Sequence, residues 1–260
     1  MKKYEVTVVI PIYKTCLSEY EQISLRQVLQ VLDHHRIVAV KPRSLDISSL
    51  HLPAEESFDD DYFAGIAGYN RLMMSAEFYR RFSDSEYILI YQLDAYVFSD
   101  RLKEWCGKGY DYVGAPWLSK PIYRFPLYRL CSWMKRKWLA RKGLPHRSIT
   151  RDKVGNGGLS LRRVDAHIVV LEKYSDVAAA YLSHRHHLFN EDVFFSVEVR
   201  RREPSFRYPT VQEALDFAFD KYPRLCFRRN HHRLPFGCHA WYKRKMRRFW
   251  FPIILGPTVK

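Results

Sequence analysis

The chain has 260 residues, of which 47% are hydrophobic and 15% aromatic, so it can form the core of one large domain and global disorder is excluded. It has no apolar run of transmembrane length, and the N-terminus lacks a signal-peptide pattern. The five cysteines include no CxxC pair, which argues against a disulfide framework or a zinc ribbon and fits a reducing cytoplasm. The net charge of +15 arises almost entirely from residues 120–151 and 241–260, so the body of the chain is nearly neutral.

The first elements predict a β-α-β start. Residues 5–13 (EVTVVIPIY) are a short β-branched run that ends in proline and tyrosine, and residues 36–40 (RIVAV) are a second strand. Between them, Ser18 followed by Glu21 is a capping-box pattern, and a periodic apolar helix face follows it. This order predicts an α/β fold with a mainly parallel sheet and ligands at the carboxyl ends of its strands.

The later elements continue this pattern. They are a helix at 59–82, a strand at 86–98 (EYILIYQLDAYVF), a strand and turn at 110–117, a helix at 127–142, a glycine loop entering a strand at 155–162 (GNGGLSLR), and helices at 165–181 and 190–201. Asn190 is a candidate N-cap for the last helix. We assign no elements beyond residue 204.

Two basic segments carry the positive charge. Residues 120–151 contain ten Lys or Arg and residues 241–260 contain six, with no Asp or Glu in either, and both are rich in Trp, Tyr and Phe. Basic and aromatic residues together are typical of segments that lie on an anionic membrane surface. A solvated basic face with aromatics packed inward is an alternative, and a nucleic-acid surface is a third.

Several residue types point to chemistry. Asp94 follows an apolar strand, where a buried carboxylate is unfavourable by several kcal/mol unless it is paired or bound to a cation, although an Asp that caps a turn is equally consistent. Glu191 and Asp192 at a helix start provide a candidate general base, but acids there are also favoured by the helix dipole. Gly157 and Gly158 allow close approach of a ligand, or simply form a tight turn.

Other patterns are weaker or negative. His239 in FGCHAW is a possible metal ligand, but a single histidine is more often a packed or surface residue. The glycine loop is not a GxGxxG fingerprint and no Walker lysine follows it, which disfavours a dinucleotide or P-loop site.

The order of these motifs resembles a known fold family. VVIPIY, YILIYQLDA, GNGGLSLR, NEDVFF and FGCHAW follow one another along most of the chain. In this order they resemble the GT-A glycosyltransferases, and especially the bacterial branch named DUF5672, whose metal motif retains a single Asp. The resemblance implies a Rossmann-like, mainly parallel sheet flanked by helices over residues 1–240, with a basic insertion at 120–151 and a C-terminal extension at 241–260.

The resemblance also implies roles for individual residues. Pro11 and Tyr13 would lie near the nucleotide base, with Tyr13 stacked on it, while Asn70 and Arg71 would face the nucleotide, with Arg71 near the diphosphate. Asp94 matches the last Asp of the DxD metal motif, and His239 matches the histidine that completes the metal site. Gly157 and Gly158 would lie beneath donor sugar and acceptor. Asp192 would be the base of an inverting transfer, and Glu191 would orient the acceptor.

One departure concerns the cation. Gln92 stands where the DxD motif has its first Asp, and a neutral amide is a poorer ligand for a hard divalent cation, Mn²⁺ or Mg²⁺, than a carboxylate. Either Asp94, His239 and diphosphate oxygens hold the cation, or Arg71 and other basic residues neutralise the leaving group.

The resulting hypothesis is a nucleotide-sugar glycosyltransferase in bacterial surface polysaccharide synthesis, acting on a glycan or lipid-linked acceptor. We expect it in the cytoplasm and on the inner face of the membrane. The alternatives are a non-catalytic basic module that binds anionic membrane or nucleic acid, and a nucleotidyltransferase.

Overall fold

The structure is a computed structural model that describes residues 2–256, apart from the side chain of Arg124. The last four residues of the predicted C-terminal extension, 257–260, lie outside this range. The strands are β1 (Tyr4–Pro11), β2 (Arg36–Pro42), β3 (Glu55–Phe58), β4 (Ser85–Tyr91), β5 (Ala95–Val97), β6 (Tyr112–Gly114), β7 (Leu159–Arg163), β8 (Ala218–Phe219) and β9 (Gly237–His239).

Helices cover the strands. They are α1 (Glu19–Val31), α2 (Gly65–Met73), α3 (Ala76–Arg80), α4 (Leu102–Gly107), α5 (Pro126–Arg141), α6 (Val164–Lys173), α7 (Ser175–Leu182), α8 (Glu191–Val193), α9 (Arg200–Arg202), α10 (Val211–Phe217), α11 (Pro223–Arg229) and α12 (Arg247–Ile254). A π-helical segment, Phe194–Val199, joins α8 to α9. Among residues 2–256, no helix combines the length and the apolar character needed to cross a membrane.

Six strands form the main sheet in the order β3-β2-β1-β4-β7-β6. The first four run parallel, and β7 is antiparallel to both of its neighbours. Because side chains alternate along a strand, Val8 and Ile10 of β1 pack in one hydrophobic cluster while Val9 packs in the other, on the opposite face. Both faces are therefore covered, and the prediction of a mainly parallel α/β sheet is confirmed.

The predicted strand at 86–98 is wrong in one respect, because it is two strands. After β4 the chain turns at residues 92–94, and β5 pairs antiparallel with β9 in a separate three-stranded sheet, β5-β9-β8. Polar Gln92 and Asp94 lie in this turn at the carboxyl end of β4. Ligands of parallel sheets bind at this edge.

Two predicted helices are also interrupted. The helix expected at 59–82 is a 3-10 turn (Asp60–Phe63) followed by α2 and α3, because Gly65 takes a φ of +71°, which a continuous right-handed helix does not permit. The helix expected at 165–181 breaks at Tyr174, between α6 and α7. In contrast, α1 begins as predicted, with the reciprocal Ser18–Glu21 capping box.

The two basic segments differ in how they pack. Trp241 and Trp250 of the C-terminal segment are fully buried in a third hydrophobic cluster, and α12 packs its Phe251 against Tyr20 of α1. The described part of residues 241–260 is therefore integral to the fold. By contrast α5, in the other segment, contains no buried residue, and the structure describes all of it.

Candidate functional site

A cleft of about 640 Å³ opens at the carboxyl ends of β1 and β4. This volume is in the range of sites for small molecules and cofactors. Nearly all the predicted site residues line it. They are Pro11, Tyr13, Asn70, Gln92, Asp94, Gly157, Gly158, Glu191, Asp192 and His239. The fold thus brings together residues that are far apart in the sequence.

Arg71 is the exception. Its guanidinium donates a hydrogen bond to the carbonyl of Asp61 at 2.8 Å, on the exposed side of α2, and Arg71 does not line the cleft. Arg71 is therefore held outside the cleft lining in this structure, and a role for it at the diphosphate stays a prediction. Lys14 and Lys243 line the cleft instead.

Strand pairing explains why Asp94 meets His239. Ala95 of β5 is opposite His239 of β9 in the antiparallel pair, which brings the residue before Ala95 alongside the histidine ring. Asp94 Oδ1 lies 2.9 Å from His239 Nε2, yet neither buried atom has a properly aligned hydrogen-bond partner. Two buried polar atoms facing the same space without a hydrogen bond are the kind of pair that a cation would satisfy.

Neighbouring charged side chains shift the pKa values of both Asp94 and His239. Burial alone would raise the pKa of Asp94, but His239 and Lys243 hold it well below its usual range, and Lys243 Nζ lies 2.8 Å from Asp94 Oδ2. Burial alone would lower the pKa of His239, but Asp94 and then Asp220 raise it to about 10. Asp220 Oδ1 is 3.2 Å from His239 Nδ1 and orients the ring from behind.

The residues present fit a divalent cation that is completed by its ligand. Among residues 2–256, no group of three or more His, Cys, Asp and Glu side chains is arranged to hold a metal ion. Mg²⁺, however, is commonly held by only one or two carboxylates together with substrate phosphates. Asp94 and His239 match that incomplete protein donor set once His239 gives up its proton, as binding of a metal requires.

The glycine loop packs against these same side chains. The backbone N–H of Gln92 donates to the carbonyl of Gly158 at 2.9 Å, which extends the pairing of β4 with β7 into the cleft. A Cβ on Gly158 would lie 2.1 Å from His239 Nε2, and a Cβ on Gly157 would lie 1.8 Å from Glu191 Oε1. Glycine is therefore required at both positions by close approach.

We expect Gly158→Ala to destabilise the protein by about 1–3 kcal/mol, the usual range for overpacking a filled site. His239 is held between two carboxylates and cannot yield easily to the added methyl group. Gly107→Ala is the matched control, because nothing lies within 4 Å of its Cβ position and Gly107 ends α4. Urea unfolding measures both variants, and equal stability of the two would contradict the packing described here.

Glu191 lies in a buried ion pair. Its carboxylate is 3.0 Å from the guanidinium of Arg162, a β7 residue that is fully buried. Arg162 also donates to the Tyr79 hydroxyl at 2.9 Å and to the Ser160 hydroxyl at 3.0 Å. These contacts fix Glu191 beneath the glycine loop, at one wall of the cleft.

Asp192 is the acid with the strongest sign of chemical function. Burial, and next the neighbouring Glu191 carboxylate, raise its pKa to about 7. Asp192 Oδ1 accepts a hydrogen bond from the backbone N–H of Val193 at 2.9 Å. The π-helical segment that follows is of a type often found at functional sites. An acid that titrates near neutrality in a cleft is suited to general-base chemistry.

Asn70 positions this pair of acids. Its side chain accepts from the backbone N–H of Glu191 and donates to Asn190 Oδ1, both at 3.1 Å. Asn190 is at the N-cap position as predicted, but its side chain makes no capping hydrogen bond. The start of α8 is thus fastened to α2 by the two asparagines.

Several lining residues were missed from the sequence. Lys243 and Tyr242 lie in a segment whose sequence shows only a basic and aromatic composition. Lys14, which pairs with Glu21 at 2.8 Å, belongs to the strand end that the resemblance places near the nucleotide base. Asp220 lies outside the predicted elements, and no motif marks it. Tyr13 is 62% exposed at the cleft edge, so its ring is accessible, and its stacking on a base stays a prediction.

Comparison with known proteins gives the family and the fold. A family model described as "Protein of unknown function (DUF5672)" matches residues 54–239. No curated protein matches the chain.

Three solved structures show the same architecture. Mouse xyloside xylosyltransferase 1, in its apo form, is 14% identical with a TM-score of 0.52, covering 91% of this chain and 97% of that one. The galactosyltransferase LgtC with donor and acceptor sugar analogues is 11% identical with a TM-score of 0.52, covering 98% and 97%. The bifunctional glycosyltransferase WbbM is 12% identical with a TM-score of 0.51, covering 93% and 46%. These matches establish the GT-A type of fold.

Proposed function

The chain belongs to the DUF5672 family, and we propose that it is a glycosyltransferase that moves a sugar from a nucleotide-sugar donor to an acceptor hydroxyl. One observation carries the proposal. A single cleft at the carboxyl edge of the sheet combines an exposed tyrosine, an incomplete cation site and an acid that titrates near neutrality. The GT-A fold that the chain shares with its structural neighbours supports the same conclusion.

The donor would bind with its base at the outer edge and its diphosphate at Asp94. Tyr13 offers an exposed ring for stacking on the base. Asp94 and His239 would hold a divalent cation, Mn²⁺ or Mg²⁺, which supplies charge stabilisation to the departing diphosphate when bound. Lys243, beside Asp94, adds a positive charge at the same place, and it takes the position that the sequence suggested for Arg71.

Asp192 would act as the base. The acceptor oxygen attacks the anomeric carbon, the bond from that carbon to the diphosphate oxygen breaks, and Asp192 takes the proton of the acceptor hydroxyl. The electron pair of the broken bond leaves with the nucleoside diphosphate. A single displacement of this kind inverts the configuration at the anomeric carbon. Glu191, held by Arg162 and Asn70, would orient the acceptor from the adjacent wall.

The acceptor class follows from the resemblance to the bacterial branch. We assign the acceptor to glycans or lipid-linked saccharides of bacterial surface polysaccharide synthesis. The competing hypothesis of a non-catalytic basic module leaves the raised pKa of Asp192 and the paired Asp94 and His239 without a role.

Donor hydrolysis tests the proposal without knowledge of the acceptor. Water can replace the acceptor hydroxyl, so the protein should slowly release nucleoside diphosphate from one nucleotide sugar in a panel that varies base and sugar. Chromatography of the nucleotide products measures the release. Release that exceeds the protein-free rate for one donor supports the proposal, and release from none, at high protein concentration and with manganese, overturns it.

The cation site makes a separate prediction that does not depend on turnover. In the presence of a nucleoside diphosphate, the protein should bind Mn²⁺, and Asp94→Asn should weaken this binding at least about tenfold, since a charged ligand at a buried site becomes neutral. Electron paramagnetic resonance of free Mn²⁺ measures the bound fraction.

Asp33→Asn is the control for this measurement, because Asp33 is an exposed surface acid. It should bind Mn²⁺ like the wild type. Equal Mn²⁺ binding by Asp94→Asn and the wild type would contradict the assignment of Asp94 as a ligand.

A further inference from the structure

Helix α5 presents an apolar stripe to solvent. Seven large hydrophobic side chains between residues 122 and 138 are exposed, and five of them are Leu127, Leu130, Trp133, Met134 and Trp138 of α5. Leu127, Leu130, Met134 and Trp138 are spaced by three or four residues, so they share one face of the helix. Their exposed fractions range from 50% to 74%. A water-soluble surface rarely leaves a continuous apolar face of this kind uncovered.

A different face of α5 packs against the flanking parts of the same segment. The half-buried residues of α5 are Tyr128, Ser132 and Leu139. They share a second face of the helix. The Tyr128 hydroxyl accepts a hydrogen bond from Arg147 at 2.8 Å, and its ring stacks on Tyr123 at 4.9 Å. The apolar stripe is therefore on a face of α5 other than the one that packs, and it is exposed.

The charge around the stripe identifies its partner. Residues 120–151 contain no acid, and the basic side chains Arg129, Lys135, Arg136 and Lys137 are all exposed along α5. Lys137 and Lys142 lie over the rings of Trp133 and Trp138, at 4.1 and 4.0 Å. Apolar and tryptophan side chains bordered by cations match the acyl chains and the anionic headgroups of a bilayer surface. A second copy of the same face would bring like charges together.

We propose that α5 is a membrane-docking helix that lies on an anionic lipid surface. The described part of the other basic segment buries its tryptophans in the protein core and exposes Ile253 and Leu255, which do not form a comparable stripe. Both basic segments are positively charged, but the exposed apolar stripe is found on α5.

The helix is joined to the cleft. The two ends of the segment that carries α5 are joined by the antiparallel bridge between Pro116 and Val154. The backbone N–H of Trp117 also donates a hydrogen bond to the carbonyl of Lys153 at 2.9 Å. The loop with Gly157 and Gly158 follows directly. Docking of α5 therefore tethers the glycine loop of the cleft to the lipid surface through one short connection, and, resting on the proposed function, this favours an acceptor that is itself anchored in the membrane.

Vesicle sedimentation of the full chain tests the docking independently of any transferase activity. Wild-type protein should sediment with vesicles of equimolar phosphatidylcholine and phosphatidylglycerol at low salt, and much less with pure phosphatidylcholine or at high salt. The triple variant Leu127→Ser, Met134→Ser, Trp138→Ser should bind at least about tenfold more weakly, because it removes three exposed apolar side chains that would insert into the lipid. These side chains are exposed, so the fold should be unaffected.

A matched control has three exposed apolar residues elsewhere, Val169→Ser, Leu234→Ser and Leu255→Ser. It should sediment like the wild type. The proposal is overturned if both triple variants bind alike, if pure phosphatidylcholine binds as well as the anionic mixture, or if a single-stranded oligonucleotide rather than any vesicle binds to α5. It is also overturned if the wild type is a dimer that the α5 variant dissociates while neither sediments with lipid.

Discussion

Asp192→Asn should lower sugar transfer by about 10²–10⁴-fold, the usual contribution of a general base. The amide keeps the size of the carboxyl group and can still accept from the backbone N–H of Val193, but it cannot take a proton from the acceptor. Nucleotide binding should therefore persist. The measurement is release of nucleoside diphosphate from the donor identified in the hydrolysis panel, together with the affinity for that donor.

The pH profile gives this prediction a second readout. Because the folded-state pKa of Asp192 is raised to about 7, its carboxyl group is protonated and inactive as a base below that pH. Wild-type kcat/KM should therefore rise as pH increases through about 7 and level off above it. The residual activity of Asp192→Asn should lack this rise.

Asp176→Asn is the matched control, because Asp176 is an exposed acid in the first turn of α7 and shares the helix-dipole environment without lining the cleft. Its activity and pH profile should equal those of the wild type. A fully active Asp192→Asn variant would remove Asp192 from the mechanism, whereas a variant that also loses donor binding would indicate a positioning role.

The second large effect concerns stability. Arg162→Met should destabilise the protein by about 3–5 kcal/mol, because removal of one partner leaves the other charge buried and unpaired. Arg162 is fully buried, and Glu191 is 3% exposed. The hydroxyl of Tyr79 would lose its hydrogen-bond donor as well. Urea unfolding at neutral pH measures the change.

Two further variants isolate the ion pair. Adding Glu191→Gln to Arg162→Met should recover part of the lost stability, because a neutral amide does not require a cation. Arg43→Met removes an exposed pair with Asp59 and should change stability by less than about 1 kcal/mol. If Arg162→Met unfolds at the same urea concentration as Arg43→Met, the buried pair does not have the structural role described here.

Local patterns predicted the local features of the site well. The β1 strand and the α1 capping box are determined by short-range chemistry, whereas the glycine pattern entering β7 reflects the close approach of Glu191 and His239. The order of motifs predicted the fold, since the same order and the same mainly parallel sheet go together in the GT-A family. The position of Asp94 at a strand end predicted its place at the ligand edge of the sheet.

Contacts between residues that are far apart in the sequence could not be predicted from local patterns. The contact of His239 with Asp94 is implied by the family resemblance alone, because it follows from the register of β5 with β9 and no periodicity marks that register. Asp220 behind His239 and Arg162 beneath Glu191 are contacts between elements that are separate in the sequence. Arg71 lies outside the cleft lining because of which face of α2 packs inward, and a motif does not determine that face.

The two basic segments illustrate the same limit. Their compositions are alike, so the sequence offered a membrane surface, a solvated face and nucleic-acid binding for both. Packing distinguishes them, because Trp241 and Trp250 are buried while Trp133 and Trp138 are exposed. Composition predicts what a segment can contact, and tertiary packing decides which of its side chains remain available.

The central claim is that the cleft at Asp94 is a nucleotide-sugar site, and a thermal-shift screen tests it most directly. Nucleoside diphosphates and nucleotide sugars would be added with and without Mn²⁺, since a ligand that binds the native state raises the melting temperature. We predict a rise for one nucleoside diphosphate that increases with Mn²⁺ in the wild type and loses this increase in Asp94→Asn. No rise with any nucleotide at millimolar concentration, with or without the cation, would contradict the claim.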